Sequence, residues 1–271
     1  MAVFQHFILT RFNIPLGNVF TKDKNNNELD EVWLNDRIGL FETYCLPSIC
    51  RQTCKNFDWL VFFDKESPQY LKDKIVKWKQ ECFQFVPIFV SDYDEFMKIS
   101  MVASINDRAD GVDYVITTRL DNDDALLSEA VREIQYHFVP RHNVIVDMEN
   151  GYCYDAKKKV LCLVEKNKSN QFISLIEKRE MVKTVFYHNH RQWVGKAEYV
   201  SVSTPQWLEV VHERNLYNQV FGRALYSNKR KSLKPFVLKV SFFRTTIYVV
   251  KNMKKKALWL IKIAFKTLLN N

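Results

Sequence analysis

The sequence predicts an α/β protein in which a mostly parallel central sheet is covered by helices on both faces. Short apolar runs alternate with segments of helical periodicity over residues 1–150, a pattern typical of parallel strands joined by helices. A hydrophobic content of 47% and an aromatic content of 14% in 271 residues can fill a large core and argue against disorder. A basic C-terminal tail follows this folded part.

Short runs of apolar and β-branched residues are predicted to form the strands: Phe4–Thr10, Phe57–Phe63, Val86–Val90, Val112–Leu120 and Asn143–Met148. Apolar residues at helical spacing predict the helices: Trp33–Thr53, Pro68–Glu81, Glu95–Ala109 and Leu126–Phe138. Pro47 is expected to kink or interrupt the first helix, and Pro68 suits the first turn of the second. Asn25–Asp30 is a predicted exposed loop.

The pattern becomes less regular after Gly151. Tyr152–Val164 is predicted to form a hairpin, Gln171–Glu177 is ambiguous, and Thr204–Asn215 is predicted to form a short helix. Pro235–Val250 is strand-like, and Met253–Leu269 is predicted to form an amphipathic helix. The expected organisation is one domain over residues 1–227, with halves at 1–150 and 151–227. A basic amphipathic extension over residues 228–271 completes the chain.

The positive net charge of +9 is concentrated at the C-terminal end. Residues 228–271 contain twelve Lys and Arg and no Asp or Glu, so +9 less +12 leaves −3 for residues 1–227. A slightly acidic body does not favour nucleic-acid binding. A cationic tail is attracted to anionic lipid instead, and we expect residues 228–271 to lie on a membrane surface, with Trp259 and Phe265 at the interface. The alternative is a final helix that packs on the body and leaves its lysine face in solvent.

The cysteines and the N-terminus indicate a cytoplasmic protein. The six cysteines include no C-x-x-C pair, and the first ten residues, MAVFQHFILT, lack the features of a secretory signal. Reduced thiols fit that compartment. No uninterrupted apolar stretch approaches the roughly 20 residues that span a bilayer, so the predicted location is peripheral, at the inner face of the cell membrane.

Three aspartates, Asp121, Asp123 and Asp124, follow the predicted strand Val112–Leu120. Carboxylates at the carboxyl end of a central α/β strand suit Mg²⁺ or Mn²⁺ with a nucleotide diphosphate. They repel one another unless a cation is bound, and Arg119 can offset part of that repulsion or contact a phosphate. In a nucleotide-sugar transferase the cation neutralises the departing diphosphate, so the D-x-D motif points to a metal-dependent glycosyltransferase.

Helix capping is the alternative interpretation for acidic pairs of this kind. Asp92 and Asp94 follow another predicted strand, and capping of the next helix is favoured there over contact between Asp92 and a nucleotide. One aspartate of the Asp121–Asp124 cluster can likewise cap a helix that begins at Leu126. Capping requires only one carboxylate, and the cluster has three, so the metal site is favoured.

The segment Thr117–Leu126 resembles the acidic motif of the bacterial rhamnosyltransferase family, whose members have a GT-A type nucleotide-sugar-binding fold. Further stretches carry the resemblance: Trp33–Phe41, Tyr44–Ile49 with Gln52 and Thr53, Phe57–Asp64, and Gln206–His212 with Asn215. The match covers roughly residues 4–220 and leaves out the basic tail. It implies a nucleotide-binding half at 1–150 and an acceptor-side half at 151–227.

The resemblance also implies roles for single residues. Asp121 and Asp123 would be the metal-binding pair with Asp124 nearby, and His212 would be a late ligand of the metal or the diphosphate. A structural histidine is an equally good interpretation of His212. His188 and His190 point to opposite sides of an extended segment, so at most one would face the site; His188 is favoured.

Two positions after the predicted strands correspond to the nucleotide-binding region of GT-A enzymes. Arg11 can contact a phosphate and Phe12 can pack on a base, although an ordinary loop arginine fits equally well. Asp64 is a weaker candidate for contacting the base or the ribose.

An inverting transfer requires a general base for the acceptor hydroxyl. Asp147 and Glu149 are favoured over Asp155 because they end a predicted strand. The predicted function is transfer of a sugar, with rhamnose as the family's suggestion, from a nucleotide diphosphate donor to a cell-surface glycan or lipid-linked acceptor, as in polysaccharide biosynthesis. A nucleotidyltransferase and a non-catalytic membrane-surface binding protein are the alternatives; the former lacks its glycine-rich loop, since Gly17 stands alone near the first strand.

Overall fold

The computed structural model describes residues 3–15, 31–213 and 219–269. The predicted loop Asn25–Asp30, Gly17 and Asn215 lie outside the described residues. All six cysteines are described, and all are free thiols.

The strands of the described chain are β1 Phe4–Arg11, β2 Asp58–Asp64, β3 Phe85–Val90, β4 Tyr114–Arg119, β5 Ala125–Leu126, β6 Val144–Met148, β7 Gly151–Asp155, β8 Val160–Val164, β9 Ser174–Lys178, β10 Glu198–Val202, β11 Trp207–Val211 and β12 Arg223–Leu225. The helices are α1 Glu31–Leu40, α2 Leu46–Cys50, α3 Gln69–Glu81, α4 Tyr93–Glu95, α5 Met101–Asn106, α6 Ala130–Tyr136 and α7 Phe242–Leu269. Short 3₁₀ turns occupy Arg179–Met181, Val185–Tyr187, His190–Trp193 and Lys231–Leu233.

The chain divides into two compact units. The first contains Met1–Gly151 and Glu165–Glu209, and the second contains Tyr152–Val164 and Val210–Asn271. The boundary expected at residue 227 differs from these units, which group the β7–β8 region with the C-terminal segment. The reason is contact across a long stretch of sequence, because β8 is hydrogen-bonded antiparallel to β12 and Arg244 of α7 donates to the carbonyl oxygen of Lys157.

The first unit is built on a seven-stranded sheet with the order β10-β6-β9-β4-β1-β2-β3. β4, β1, β2 and β3 are mutually parallel, β10 is parallel to β6, and only β9 runs antiparallel to its neighbours β4 and β6. The prediction of a mostly parallel central sheet is therefore confirmed.

Both faces of this sheet are covered, as the sequence predicts. Neighbouring residues of a strand point to opposite faces, and the Phe62 ring lies 5.0 Å from Phe96 while the Phe63 ring lies 6.5 Å from Trp78. Phe96 precedes α5 on one face and Trp78 belongs to α3 on the other. All four rings are almost completely buried, so a layer of helices encloses each side.

Two predicted helices contain a π-helical turn. Phe41–Cys45 separates α1 from α2, and Phe96–Ser100 separates α4 from α5. The first turn lies directly before Pro47, which cannot donate a backbone hydrogen bond. Pro47 thus interrupts the regular bonding without ending the helical path. Pro68 lies one residue before α3, at its N-cap.

Three elements were predicted wrongly. The helix expected from Leu126 begins at Ala130, because Ala125 and Leu126 form β5 and pair with β11. Thr204–Asn215 contains strand β11 rather than a helix, and its buried Trp-Leu-Glu-Val-Val segment has the β-branched and aromatic residues that favour strands. The strand-like Pro235–Val250 contains the start of α7 at Phe242. No described helix is both long enough and apolar enough to cross a membrane.

Candidate functional site

The candidate site lies at one edge of the first unit's sheet. β1, β2 and β4 are parallel, so their carboxyl ends meet at that edge. β1 ends at Arg11, β2 at Asp64 and β4 at Arg119. The loop after β4 carries the predicted cluster Asp121–Asp124 to the same edge.

Two arginines from different elements hold the aspartates of this loop. The Arg119 guanidinium lies 3.0 Å from Asp121 Oδ2, and Arg37 Nη1 of α1 lies 2.6 Å from Asp123 Oδ2. Arg37 Nη1 also donates to Asn122 Oδ1 at 3.2 Å. Arg119 and Arg37 offset the repulsion between the carboxylates, so this repulsion does not by itself require a bound metal ion.

The loop after β4 does not cap a helix. The residue before α6 is Glu129, whose side chain makes no capping hydrogen bond. Asn122 Nδ2 instead donates to the carbonyl oxygen of Phe12 at 2.7 Å, and Asp124 N donates to Asp121 O at 3.2 Å. These bonds join the loop to the end of β1 and exclude the capping alternative for the cluster.

Capping is confirmed for the other acidic pair. Asp92 Oδ1 accepts from the backbone of Glu95 at 2.8 Å, and Glu95 Oε2 accepts from Ser91 N at 2.8 Å. Asp92 thus serves the N-terminus of α4. Asp64 serves its own turn in a similar way, because its Oδ1 accepts from Glu66 N at 2.9 Å.

Arg11 and Arg119 form the cationic side of the site. Burial lowers the pKa of Arg11 while Asp121 acts in the opposite direction. Burial also lowers the pKa of Arg119, but Asp121 outweighs it and the pKa is raised overall. Arg11 lies over the Tyr93 ring at 5.8 Å, and Arg119 over the Phe186 ring at 5.4 Å. Both cations are therefore fixed beside Asp121.

Phe12 does not take the base-stacking role expected from the sequence. It is 3% exposed, and its ring lies 4.9 Å from Phe63, 5.1 Å from Phe41 and 5.6 Å from Trp78. The side chain is part of the core because residue 12 continues the alternation of β1.

Glu209 is a site residue that the sequence analysis missed. Leu208 of β11 pairs with Ala125 of β5, which brings the next position, Glu209, beside the acidic loop. Burial is the main cause that raises the pKa of Glu209 to about 7; a hydrogen bond from Gln171 opposes the shift, and the charges of Asp123 and Asp121 contribute to it. The available signal was a glutamate in the middle of an apolar strand, and it was lost when the segment was interpreted as a helix.

The two late histidines are arranged differently from the prediction. Burial lowers the pKa of His190, which also lies in the field of Arg119 and Asp121, and His190 Nδ1 is 2.5 Å from Ser169 O. The His188 ring packs edge-on against Trp193 at 4.7 Å. At most one histidine was expected to face the site, and the structure favours His190 rather than His188.

The candidate bases Asp147 and Glu149 lie in and just after β6. Asp147 is completely buried, and its Oδ2 accepts from Ser169 N at 2.7 Å. Burial raises its pKa to about 6. Glu149 Oε1 accepts from the Ser201 hydroxyl at 2.6 Å. Neither arrangement favours proton transfer from an acceptor.

Asp155 and His212 belong to the second unit, where both line a cavity.

In the described part of the chain, no three His, Cys, Asp or Glu side chains are placed to hold a metal ion without further ligands. The oxygen donors of Asp121 and Asp123 are nevertheless of the type that Mg²⁺ and Mn²⁺ prefer. The charges of Asp123 and Asp121 add to the larger effect of burial in raising the pKa of Glu209 beside them. A cation at these two carboxylates would need further oxygen ligands from another molecule.

A parallel sheet with fixed arginines and aspartates at its carboxyl edge defines an α/β protein with a charged candidate site at that edge. The chain belongs to the family described as "Putative rhamnosyl transferase", whose sequence profile matches residues 5–224. The match covers most of the chain and confirms the resemblance inferred from the sequence. The protein is thus a member of a glycosyltransferase family with the predicted α/β fold class.

Several solved structures are similar to this chain. They include S. aureus TarS 1–349 in complex with UDP, at 12% identity and a TM-score of 0.43, covering 76% of this chain and 60% of that chain. S. pneumoniae TIGR4 GlyE, a glycosyltransferase, is 10% identical with a TM-score of 0.39, and the match covers 92% of this chain and 64% of that chain. A Desulfovibrio desulfuricans G20 protein described as a "putative nucleotide-diphospho-sugar transferase" is 13% identical with a TM-score of 0.34, and the match covers 78% of this chain and 81% of that chain.

The chain spans about 60% of the length of the TarS fragment. No curated protein sequence matches it significantly. The assignment to the family rests on the sequence match and not on the solved structures.

Proposed function

We propose that this protein transfers a hexosyl group from a nucleoside diphosphate sugar to a glycan or lipid-linked acceptor. Rhamnose is the sugar that the family description suggests. The observation that carries the proposal is the pairing of Arg119 with Asp121 and of Arg37 with Asp123 at the carboxyl edge of the parallel sheet. A nucleotidyltransferase is disfavoured because the family profile that matches residues 5–224 describes glycosyl transfer.

In this proposal Asp121 and Asp123, with Asp124 adjacent, hold Mn²⁺ or Mg²⁺ when the donor binds. The ion supplies positive charge that stabilises the departing diphosphate. Arg11 and Arg119 contact the phosphate oxygens, since guanidinium groups match phosphate geometry. Arg37 orients Asp123 from α1. His212 is left out of this ligand set because it lines the cavity of the second unit.

We assign the general base of an inverting transfer to Glu209. Its pKa of about 7 lets it accept a proton near neutral pH. The acceptor oxygen forms a bond to the anomeric carbon, its proton moves to the Glu209 carboxylate, and the bond from that carbon to the phosphate oxygen breaks. The electron pair leaves with the nucleoside diphosphate. Glu209 takes this role instead of Asp147 and Glu149 because it lies in the field of Asp123 and Asp121, the residues assigned to the metal ion, whereas the charged groups that act on Asp147 are Glu149 and Lys168.

A peripheral membrane location is also proposed. α7 exposes a row of apolar side chains, among them Phe242, Phe243, Val250 and Met253. Its exposed lysines include Lys254 and Lys256. An amphipathic helix of this kind can lie in the interface of an anionic membrane. Docking at the inner face of the cell membrane would place the enzyme near lipid-linked acceptors.

Hydrolysis of a panel of nucleoside diphosphate sugars tests the proposed activity. Released nucleoside diphosphate is measured with Mn²⁺, with Mg²⁺ and with EDTA, because slow transfer to water replaces transfer to the unknown acceptor. Metal-dependent release from one donor is expected. No release from any donor, together with no calorimetric binding of nucleoside diphosphate, would contradict the proposal.

A further inference from the structure

The second unit contains a cavity of about 610 Å³, separate from the residues assigned to the donor. All of its lining residues belong to that unit. They come from the β7–β8 region, from the end of β11 with the residues that follow it, and from one face of α7. The cavity is partly open to solvent.

The lining of the cavity is strongly cationic. Its basic residues are Lys157, Lys158, Arg244, Lys251 and Lys255. The two acidic residues of the lining are already paired with lysines, because Asp155 Oδ2 lies 2.8 Å from Lys158 Nζ and Glu213 pairs with Lys157. The lining therefore has an excess of three positive charges, with the histidine counted as neutral.

The three excess cations, Arg244, Lys251 and Lys255, all project from α7. Among the described residues, no carboxylate lies within ion-pair distance of them. Positions 244, 251 and 255 share one helix face, since they are separated by about two and three turns. Arg244 Nη1 donates to Lys157 O at 2.8 Å, which fixes the guanidinium at the cavity.

Hydrogen-bonding groups accompany these charges. Tyr248 lies on the same face of α7, and its hydroxyl donates to Gly222 O at 3.2 Å, which anchors the helix. His212 and Asn252 also line the cavity. An arginine with lysines and neutral donors is the combination that binds phosphate oxygens.

We propose that this cavity binds a phosphate or diphosphate group of a ligand other than the sugar donor. The volume greatly exceeds that of a single phosphate, and Val160, Val211 and Ile247 offer apolar surface for an attached group. The diphosphate is either free in solution or carried by a lipid. Binding here does not depend on the donor site of the first unit.

The test is calorimetric titration of the full-length protein with inorganic pyrophosphate. The variant K251Q/K255Q removes two cavity charges, and K254Q/K256Q removes two charges from other faces of the same helix. Glutamine keeps the helix propensity, and circular dichroism checks the fold. We expect the first variant to bind about tenfold more weakly and the second to bind as the wild type does. K251R/K255R should restore binding.

A second titration with farnesyl diphosphate distinguishes the two sources of the ligand. Tighter binding than pyrophosphate indicates a lipid-borne diphosphate, and equal binding indicates a free one. The donor site is identical in all variants, so a difference in pyrophosphate affinity between them reports on the cavity alone. Equal binding by the wild type and K251Q/K255Q, or an equal loss in both glutamine variants, would overturn the proposal and leave the transferase assignment untouched.

Discussion

Arg37 Nη1 lies 2.6 Å from Asp123 Oδ2, in an ion pair whose side chains are only 15% and 10% exposed. This contact joins α1 to the loop after β4, across 86 residues of sequence. It orients Asp123 in a site that already contains Asp121 and Glu209. The position of Asp123 is therefore set by a helix as well as by its own loop.

Arg37→Gln should destabilise the fold by about 2 kcal/mol, because it leaves a mostly buried carboxylate without its cation. The measurement is urea-induced unfolding near neutral pH. Lys74→Gln is the matched control, since it removes the cation of the more exposed pair with Glu42. Lys74→Gln should lower the free energy of unfolding by less than about 1 kcal/mol. Equal effects of the two changes would show that Arg37 contributes no more than a surface charge.

Glu209 should make stability fall as pH rises. Its folded pKa of about 7 lies above the ordinary glutamate value of 4.5, so the folded state binds the proton more tightly than the unfolded state. The stabilisation is complete below pH 4.5 and is lost as pH rises through 7. Glu209→Gln should therefore gain stability relative to the wild type between pH 5 and pH 8, by on the order of 2 kcal/mol.

Unfolding of both proteins at pH 5 and pH 8 measures this difference. The other carboxyls with raised pKa values, Glu177 at about 7 and Asp147 at about 6, are present in both proteins and cancel. If the two proteins differ in unfolding free energy by the same amount at pH 5 and at pH 8, Glu209 does not titrate in this range.

Glu209→Gln should also reduce turnover. Loss of a general base typically lowers the rate about 10²–10⁴-fold, while binding of nucleoside diphosphate should persist because Arg11 and Arg119 remain. Initial rates with the active donor and calorimetry with nucleoside diphosphate separate the two effects. Asp147→Asn is the comparison, and a larger rate loss in that variant would return the role of base to Asp147.

Arg119→Gln should weaken binding of nucleoside diphosphate about tenfold. The guanidinium is held by Asp121 and lies at the end of β4. Glutamine is too short to contact the same phosphate oxygens, and it carries no positive charge. Calorimetry at two salt concentrations provides the measurement. Arg108→Gln, on an exposed surface after α5, should bind normally, and comparable weakening there would indicate a general charge effect.

The exposed apolar face of α7 predicts a membrane phenotype. F243S/M253S should reduce flotation with vesicles that contain phosphatidylglycerol, because both side chains are largely exposed and available for insertion. Phe83→Ser, in the first unit and 94% exposed, is the control and should float as the wild type does. Undiminished flotation of the α7 variant would contradict the peripheral location.

The parallel sheet and the acidic loop could be predicted because their signals are local. β1, β2 and β4 are short segments rich in apolar and β-branched residues, and Asp121–Asp124 comes soon after the last of them. Capping by Asp92 was also predictable from Glu95 three residues later. In each case the residues that matter are neighbours in the sequence.

The missed residues depend on long-range contacts. Nothing near Arg37 indicates that it pairs with Asp123. β11 is a five-residue apolar segment, and periodicity alone cannot distinguish such a segment from a buried helix. β11 pairs with β5, which brings Glu209 to the site, through Trp207 with Leu126 and Leu208 with Ala125, residues far apart in the sequence. The start of α7 was missed because its β-branched and aromatic residues favour a strand locally.

Donor turnover by wild type and D121N/D123N tests the central claim most directly. Nucleoside diphosphate released from the active donor is measured with saturating Mn²⁺ for both proteins, and circular dichroism confirms that the variant is folded. We predict that the double change lowers the rate by at least about 100-fold and that EDTA has a comparable effect on the wild type. Turnover that survives the double change would contradict the assignment of the reaction to this site.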